Sequence, residues 1–178
     1  AQGEVMQLMN IGNIDLTESL YMDIIYRKTA ILFEASAKIG SILSNNNNFD
    51  NLAAFGLHFG KAYQLRNDYL DYFGDTDSTG KNAIEDLYEG KATLPIIHSL
   101  SKADKNDEDL LRKSYDDTKN ANGDDIIKIL RKYKSDLYIE KKIAEETNLA
   151  ISSINSMSPS DYKDQLISLA LFCKDRVS

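Results

Sequence analysis

The chain has 178 residues, 42% of them hydrophobic and 28% charged, with a formal net charge of −7 at pH 7. That length supports one domain with a sizeable core, and the acidic balance argues against non-specific nucleic-acid binding. No apolar run reaches membrane-spanning length, and the single cysteine, Cys173, excludes an internal disulfide framework and any cysteine-cluster metal site. No charged-then-apolar leader opens the sequence, so a cytoplasmic location is expected.

The opening A-Q-G-E-V-M-Q-L-M-N reads as the tail of an apolar-periodic helix without a cap or an initiating methionine. The expectation is a chain that begins partway through a larger protein. Asp15 or Thr17 then caps a long helix reaching about Leu43, with Asp15 and Glu18 at capping-box spacing. The run from Ser44 to Asn48 breaks it. A second long helix starts at Phe49-Asp50 and reaches about Phe73. Residues 74–81 read as a loop rich in Asp, Thr, Ser and Gly, and 83–88 as a helical turn. Further helices are predicted over 93–100, 107–119, 124–133, 136–157 and 160–175, with Pro159 suited to an early position in the last. No segment alternates with period two, so the predicted fold class is all-α.

At 100° per residue, Ile24, Ile25, Ile31, Leu32, Ala35, Ile39, Ile42 and Leu43 fall in one stripe with Lys28 at its centre. A lysine there is costly unless its ammonium is paired, although a snorkelling stem is the plain alternative. On the second helix Leu52, Phe55, Phe59 and Ala62 lead one apolar face. Ala53, Leu57 and Gly60 lie opposite and give way to Gln64, Asn67, Asp68 and Asp71. This pattern suggests a cavity wall, apolar inside and anionic at its mouth. Asp68 and Asp71, at i and i+3, repel one another unless a cation sits between them. A solvated acidic face is the competing reading.

Lys81 follows Gly80, and Lys91 follows Gly90. Glycine permits close backbone approach to a bulky anion, and lysine adds a mobile positive charge. Carboxylates for a divalent cation and lysines for phosphate oxygens together point to a diphosphate that arrives with its metal. Asp75, Asp77, Thr79 and Gly80 also imitate the opening of a calcium-binding EF-hand loop. Asn82 at the eighth position and Asp86 at the twelfth break that pattern. His58 and His98 stand alone on helical stretches and receive no role.

Three ordered motifs carry a resemblance to the trans-polyprenyl diphosphate synthases, the family of farnesyl, geranylgeranyl and longer-chain synthases. Tyr26 to Ala30, Y-R-K-T-A, resembles the family's K-T motif. Tyr63 to Asp71, Y-Q-L-R-N-D-Y-L-D, is similar to its second aspartate-rich motif, and Gly80 to Pro95 resembles its G-K…G-K-x-T-x-P region. The resemblance covers residues 1 to about 100. It implies an all-helical isoprenoid synthase-type bundle, here an incomplete C-terminal portion spanning residues 1–178.

The activity it implies is Mg²⁺-dependent head-to-tail condensation of an allylic diphosphate with isopentenyl diphosphate, usually in a homodimer. It assigns Lys28 and Asp68 to catalysis, and Lys28, Thr29, Gln64, Lys81 and Lys91 to the allylic diphosphate. Asp68, Asp71 and Asn67 fall to the metal, with Ala53 and Leu57 bordering the prenyl tail. Asn67 replaces the family's usual aspartate, which weakens the expected metal site. The family's first aspartate-rich motif is absent. Asp116-Asp117 and Asp124-Asp125 each lack the carboxylate needed at the fifth position. A chain with half of the catalytic groups is expected to be inactive alone, and its unpaired apolar helices to expose surface that favours association. The alternatives are a non-catalytic subunit of a heteromeric synthase and a helical calcium-binding module.

Overall fold

A computed structural model of the protein describes residues 2–44, 49–74 and 84–177. Among these residues every regular element is helical. In chain order they are α1 (Gln2–Met9), α2 (Glu18–Ile25), a π-helical turn (Tyr26–Ala30), α3 (Ile31–Leu43), α4 (Phe49–Phe73), α5 (Glu85–Tyr88) and α6 (Leu94–Leu100). Then follow α7 (Lys105–Asp116), a 3₁₀ turn (Thr118–Asn120), α8 (Gly123–Lys132), α9 (Ser135–Ser153) and α10 (Asp161–Asp175).

Several ends are set by side-chain caps that satisfy otherwise orphaned N–H groups. The N-terminus of α2 belongs to Thr17, whose hydroxyl accepts from Leu20 N at 3.2 Å. Asp15 is instead drawn to Arg112 at 2.8 Å, so the expected Asp15 capping box does not form. Asp104 caps α7 and Ser160 caps α10 in the same way. Pro159 therefore stands before the cap rather than inside the helix.

The segment from Glu18 to Leu43 is helical throughout, but its apolar stripe changes phase. Tyr21, Ile24 and Ile25 are buried before the π turn; after it the inward positions are Phe33, Ala37 and Ser41. A π turn adds a residue to the repeat and rotates everything downstream by about one residue. Leu32 is consequently 66% and Leu43 79% exposed, with Ile31, Ile39 and Ile42 also on the outer side. The continuous buried stripe expected from an unbroken 100° wheel is thus corrected after Thr29.

Helix α4 is the hub. It packs on α3, α9, α10 and the π turn, and none of its residues beyond Asp50 is fully exposed. The expected two-faced helix is instead buried on all sides, with Leu65 and Tyr72 in the main core. Phe55 and Phe59 join Ala150, Ile154 and Cys173 in a second core. The rings of Phe33 and Phe59 meet edge to face at 5.1 Å. At Gly60 a Cβ would lie 2.5 Å from the Ala30 Cα, so only glycine lets α4 come this close to the π turn. That approach sets Gln64 and Asp68, the next turns of α4, beside Lys28 and Thr29.

Candidate active site

The elements α1, α2, the π turn, α4 and the α5–α6 connection enclose a small cavity. Its lining includes Gln7, Tyr21, Lys28, Gln64, Asp68 and Lys91. Its volume is about 50 Å³, room for water-sized occupants. A diphosphate therefore requires side chains to part.

Lys28 enters this cavity above Ile24 and Ile25. Its ammonium donates to Gln7 Oε1 at 2.7 Å and lies 3.9 Å from Glu4 Oε1. The Lys28 side chain keeps 24% exposure, and its head is tethered to α1 at the edge of the cavity. Gln7, on α1, was not singled out by sequence, because nothing local links positions 7 and 28. On the far wall Lys91 donates to Asp86 Oδ1 at 3.2 Å and also contacts the Glu89 carboxylate. Burial works against the Lys91 ammonium, but the Glu89 hydrogen bond and the charge of Asp86 outweigh it and hold its pKa above the ordinary lysine value.

Asp68 is 3% exposed. Its Oδ2 accepts from the Tyr21 hydroxyl at 2.5 Å and its Oδ1 from Gln64 Nε2 at 2.8 Å. Gln64 Oε1 in turn accepts from Thr29 Oγ1 at 2.8 Å. Burial first, and then the charge of Asp86, push the Asp68 carboxyl far above its usual range, although both hydrogen bonds oppose the shift. Asp71 accepts from the Asp86 backbone N–H at 3.2 Å. Burial and the Asp86 charge push Asp71 up to about 7. Tyr21 is raised well above the ordinary phenol value by burial and by Asp68, so it stays a protonated donor.

Asp68, Asp71 and Asp86 are hard oxygen donors that repel one another, a set whose chemistry fits a divalent cation. Among the described residues no three His, Cys, Asp or Glu side chains form a ready-made metal cage. A hard cation that keeps water and brings phosphate oxygens needs only one or two of these carboxylates.

The structure brings Lys28, Thr29, Gln64, Asp68 and Lys91 to one place, with Asp71 joined through Asp86. It does not bring Asn67 there. The Asn67 Oδ1 accepts from the Arg176 guanidinium, and the Arg66 Nε donates to the Arg176 carbonyl at 2.6 Å. Ala53 and Leu57 do not line the cavity. Lys81, Gly80 and the EF-hand-like positions Asp75, Asp77, Thr79 and Asn82 lie outside the described residues. Gly90 has φ 74°, a turn conformation that favours glycine, and its carbonyl accepts from Gly12 N at 2.8 Å. Its role is to shape the turn before Lys91. Sequence reasoning also passed over Tyr21, which looks like one more apolar position on α2.

The two lone histidines have structural partners. His58 Nδ1 lies 2.7 Å from Glu146, and His98 Nδ1 lies 2.8 Å from the Ser135 hydroxyl with its ring stacked on Tyr138.

Helical fold and buried acid–lysine cavity together define an all-α protein of the isoprenoid synthase type. Residues 1–133 match the polyprenyl synthetase family model, and the chain belongs to that family. It is 36% identical to the octaprenyl diphosphate synthase of Haemophilus influenzae, covering 99% of this chain and 54% of that protein. It superposes on the decaprenyl diphosphate synthase of Rhodobacter capsulatus with a TM-score of 0.91 at 26% identity, covering 99% of this chain and 56% of that one. A polyprenyl synthase from Caulobacter crescentus, solved with calcium and isoprenyl diphosphate, gives 0.91 at 28% identity, covering 99% and 55%. The chain spans about half the length of these relatives.

Proposed function

We propose that this chain is the C-terminal helical part, residues 1–178, of a trans-polyprenyl diphosphate synthase, and that its cavity holds the diphosphate of the allylic substrate. The observation that carries this reading is the convergence of two half-buried lysines, Lys28 and Lys91, on a cavity that Asp68 also lines. Charges of both signs, gathered under cover, suit a polyanion bound together with its cation.

In the reaction the allylic C1–O bond breaks, the diphosphate leaves, and isopentenyl diphosphate attacks the allylic cation and then loses a proton. Negative charge grows on the departing diphosphate, so ammonium groups fixed beside it lower the barrier. Lys28 would exchange Gln7 for a phosphate oxygen, and Lys91 would exchange Asp86. Asp68 and Asp71 would hold Mg²⁺, which when bound neutralises and polarises the leaving group. Thr29 and Gln64 set the orientation of Asp68, and Lys81 is assigned to the same diphosphate by its motif. The reading also makes the protein a cytoplasmic homodimer that takes isopentenyl diphosphate as its second substrate.

Calorimetry on the protein tests the site itself. Inorganic diphosphate with Mg²⁺ is expected to bind, and Lys28→Ala to abolish that binding. Undiminished binding by Lys28→Ala would remove the site from this cavity.

A second reading, a non-catalytic subunit, is favoured by one observation: Asn67 is engaged by Arg176 instead of facing the carboxylates. Turnover by the full-length protein with its native Asn67 would exclude it.

A further inference from the structure

Tyr21 has no place in the motifs described above, yet it is the side chain in tightest contact with their central carboxylate. We propose that Tyr21 is a positioning residue: its phenol, together with the Thr29–Gln64 relay, locks the Asp68 carboxylate in one orientation at the cavity wall. This role rests on the reading of the cavity as a cation–diphosphate site.

The geometry is specific. Tyr21 is on α2 and Asp68 on α4, 47 residues apart, and both are 3% exposed. Two donors from different directions each take one carboxylate oxygen: Tyr21 OH on Oδ2 at 2.5 Å, and Gln64 Nε2 on Oδ1 at 2.8 Å. A carboxylate held at both oxygens does not rotate, yet each oxygen keeps a further lone pair for a ligand. Thr29 Oγ1 fixes which end of the Gln64 amide faces Asp68, because it donates to Oε1 and leaves Nε2 as the donor. The relay therefore runs from the π turn through Gln64 to Asp68, with Tyr21 closing it from the other side.

A phenylalanine would fill the space of Tyr21 in the main core without a buried hydroxyl to satisfy. The hydroxyl finds its partner in Asp68. A site fixed before its ligand arrives avoids ordering its groups during binding.

The test uses the protein with Mn²⁺ and inorganic diphosphate, read by calorimetry and by the Mn²⁺ electron paramagnetic resonance line shape. Tyr21→Phe should keep the far-ultraviolet circular dichroism spectrum and bind the Mn²⁺–diphosphate pair about tenfold more weakly, the size expected for one hydrogen bond to a charged group. Its resonance line should change. In an Asp68→Ala background the same substitution should have no further effect, since the two side chains act as one unit. Should Tyr21→Phe fail to fold, Thr29→Val cuts the far end of the relay and carries the same expectation. Equal affinity in Tyr21→Phe, or a loss that persists unchanged in Asp68→Ala, would overturn the assignment and leave Tyr21 a packing residue. Absence of Mn²⁺–diphosphate binding by the unmodified protein would instead overturn the reading of the cavity, and the role of Tyr21 with it.

Discussion

Two acidic regions of this molecule use the same residue types in opposite ways. Around α7 and α8, Asp104 and Asp107 share the Lys132 ammonium, while Glu108 and Asp15 share the Arg112 guanidinium, all near the surface. The backbone N–H of Asp107, and then Lys132, hold Asp104 below the usual carboxylate range, and the Arg112 hydrogen bond does the same for Asp15. At the cavity, Asp68 and Asp71 are covered and pushed upward by burial and by Asp86. Their nearest protein partners are a phenol, an amide and backbone N–H groups rather than cations. A solvated acidic face resolves its own charge; the cavity leaves charge unresolved, which is the condition for binding a cation from outside.

The sharpest way to break this contrast is to delete one charge from each region. Asp68→Ala and Lys28→Ala should each lower turnover of the full-length protein by roughly 10²–10³, the loss typical of one charge-stabilising group. Lys132→Ala should leave turnover unchanged, because its partners lie at the surface. Steady-state kinetics on the three variants separates the regions, and a large effect of Lys132→Ala would erase the distinction.

Next in size is a change that touches no charge. Gly60→Ala places a methyl against the Ala30 backbone, and overpacking of this kind costs about 1–3 kcal/mol. Chemical denaturation should register that loss. Because the π turn carries Lys28 and Thr29, diphosphate binding should weaken as well.

pH supplies a finer probe. A carboxyl whose folded pKa is raised binds more protons folded than unfolded between its ordinary value and the raised one. For Asp71 that interval runs from 3.8 to about 7, and Asp68 shifts in the same direction. The stability contribution of these two groups is thus largest below pH 4 and declines as pH rises through 7. Thermal melts in the absence of divalent cation should show the decline, and Mg²⁺ with diphosphate should stabilise the protein more at pH 8 than at pH 5. Asp104 and Asp15, with lowered values, act in the opposite sense at lower pH.

The smallest effect is expected at Asn67. Its side chain is held by Arg176, away from the cavity, so Asn67→Asp should change affinity for Mg²⁺ and diphosphate by less than about threefold, below the loss of a single hydrogen bond to charge. A tenfold gain in calorimetry would return position 67 to the metal site.

Much of this was legible in the sequence, and the parts that were not share a cause. Helix positions along the chain followed from periodicity and from turn-forming runs, because both signals are local. That Lys28, Gln64 and Asp68 would line one cavity was readable because three motifs lie in order, but the partners of the Lys28 ammonium, Gln7 and Glu4 on α1, were not. The π turn was not, since five residues of Y-R-K-T-A carry no mark of an added residue, and the wheel built on 100° per residue therefore lost phase after Thr29. The all-round burial of α4 was legible only in part: Gln64, Asn67, Asp68 and Asp71 suggested a cavity wall, but that Asn67 turns away to Arg176 depends on helices far along the chain. Gln7, Tyr21 and Arg176 were invisible for the same reason, because each meets its partner only through long-range packing.

The most direct test is a crystal structure of the protein grown with Mg²⁺ and inorganic diphosphate. The account predicts a diphosphate between Lys28 and Lys91, both ammonium groups bonded to its oxygens, and the metal bridging it to Asp68 or Asp71. Lys28 still bound to Gln7, Lys91 still bound to Asp86, and the diphosphate elsewhere or absent would contradict it.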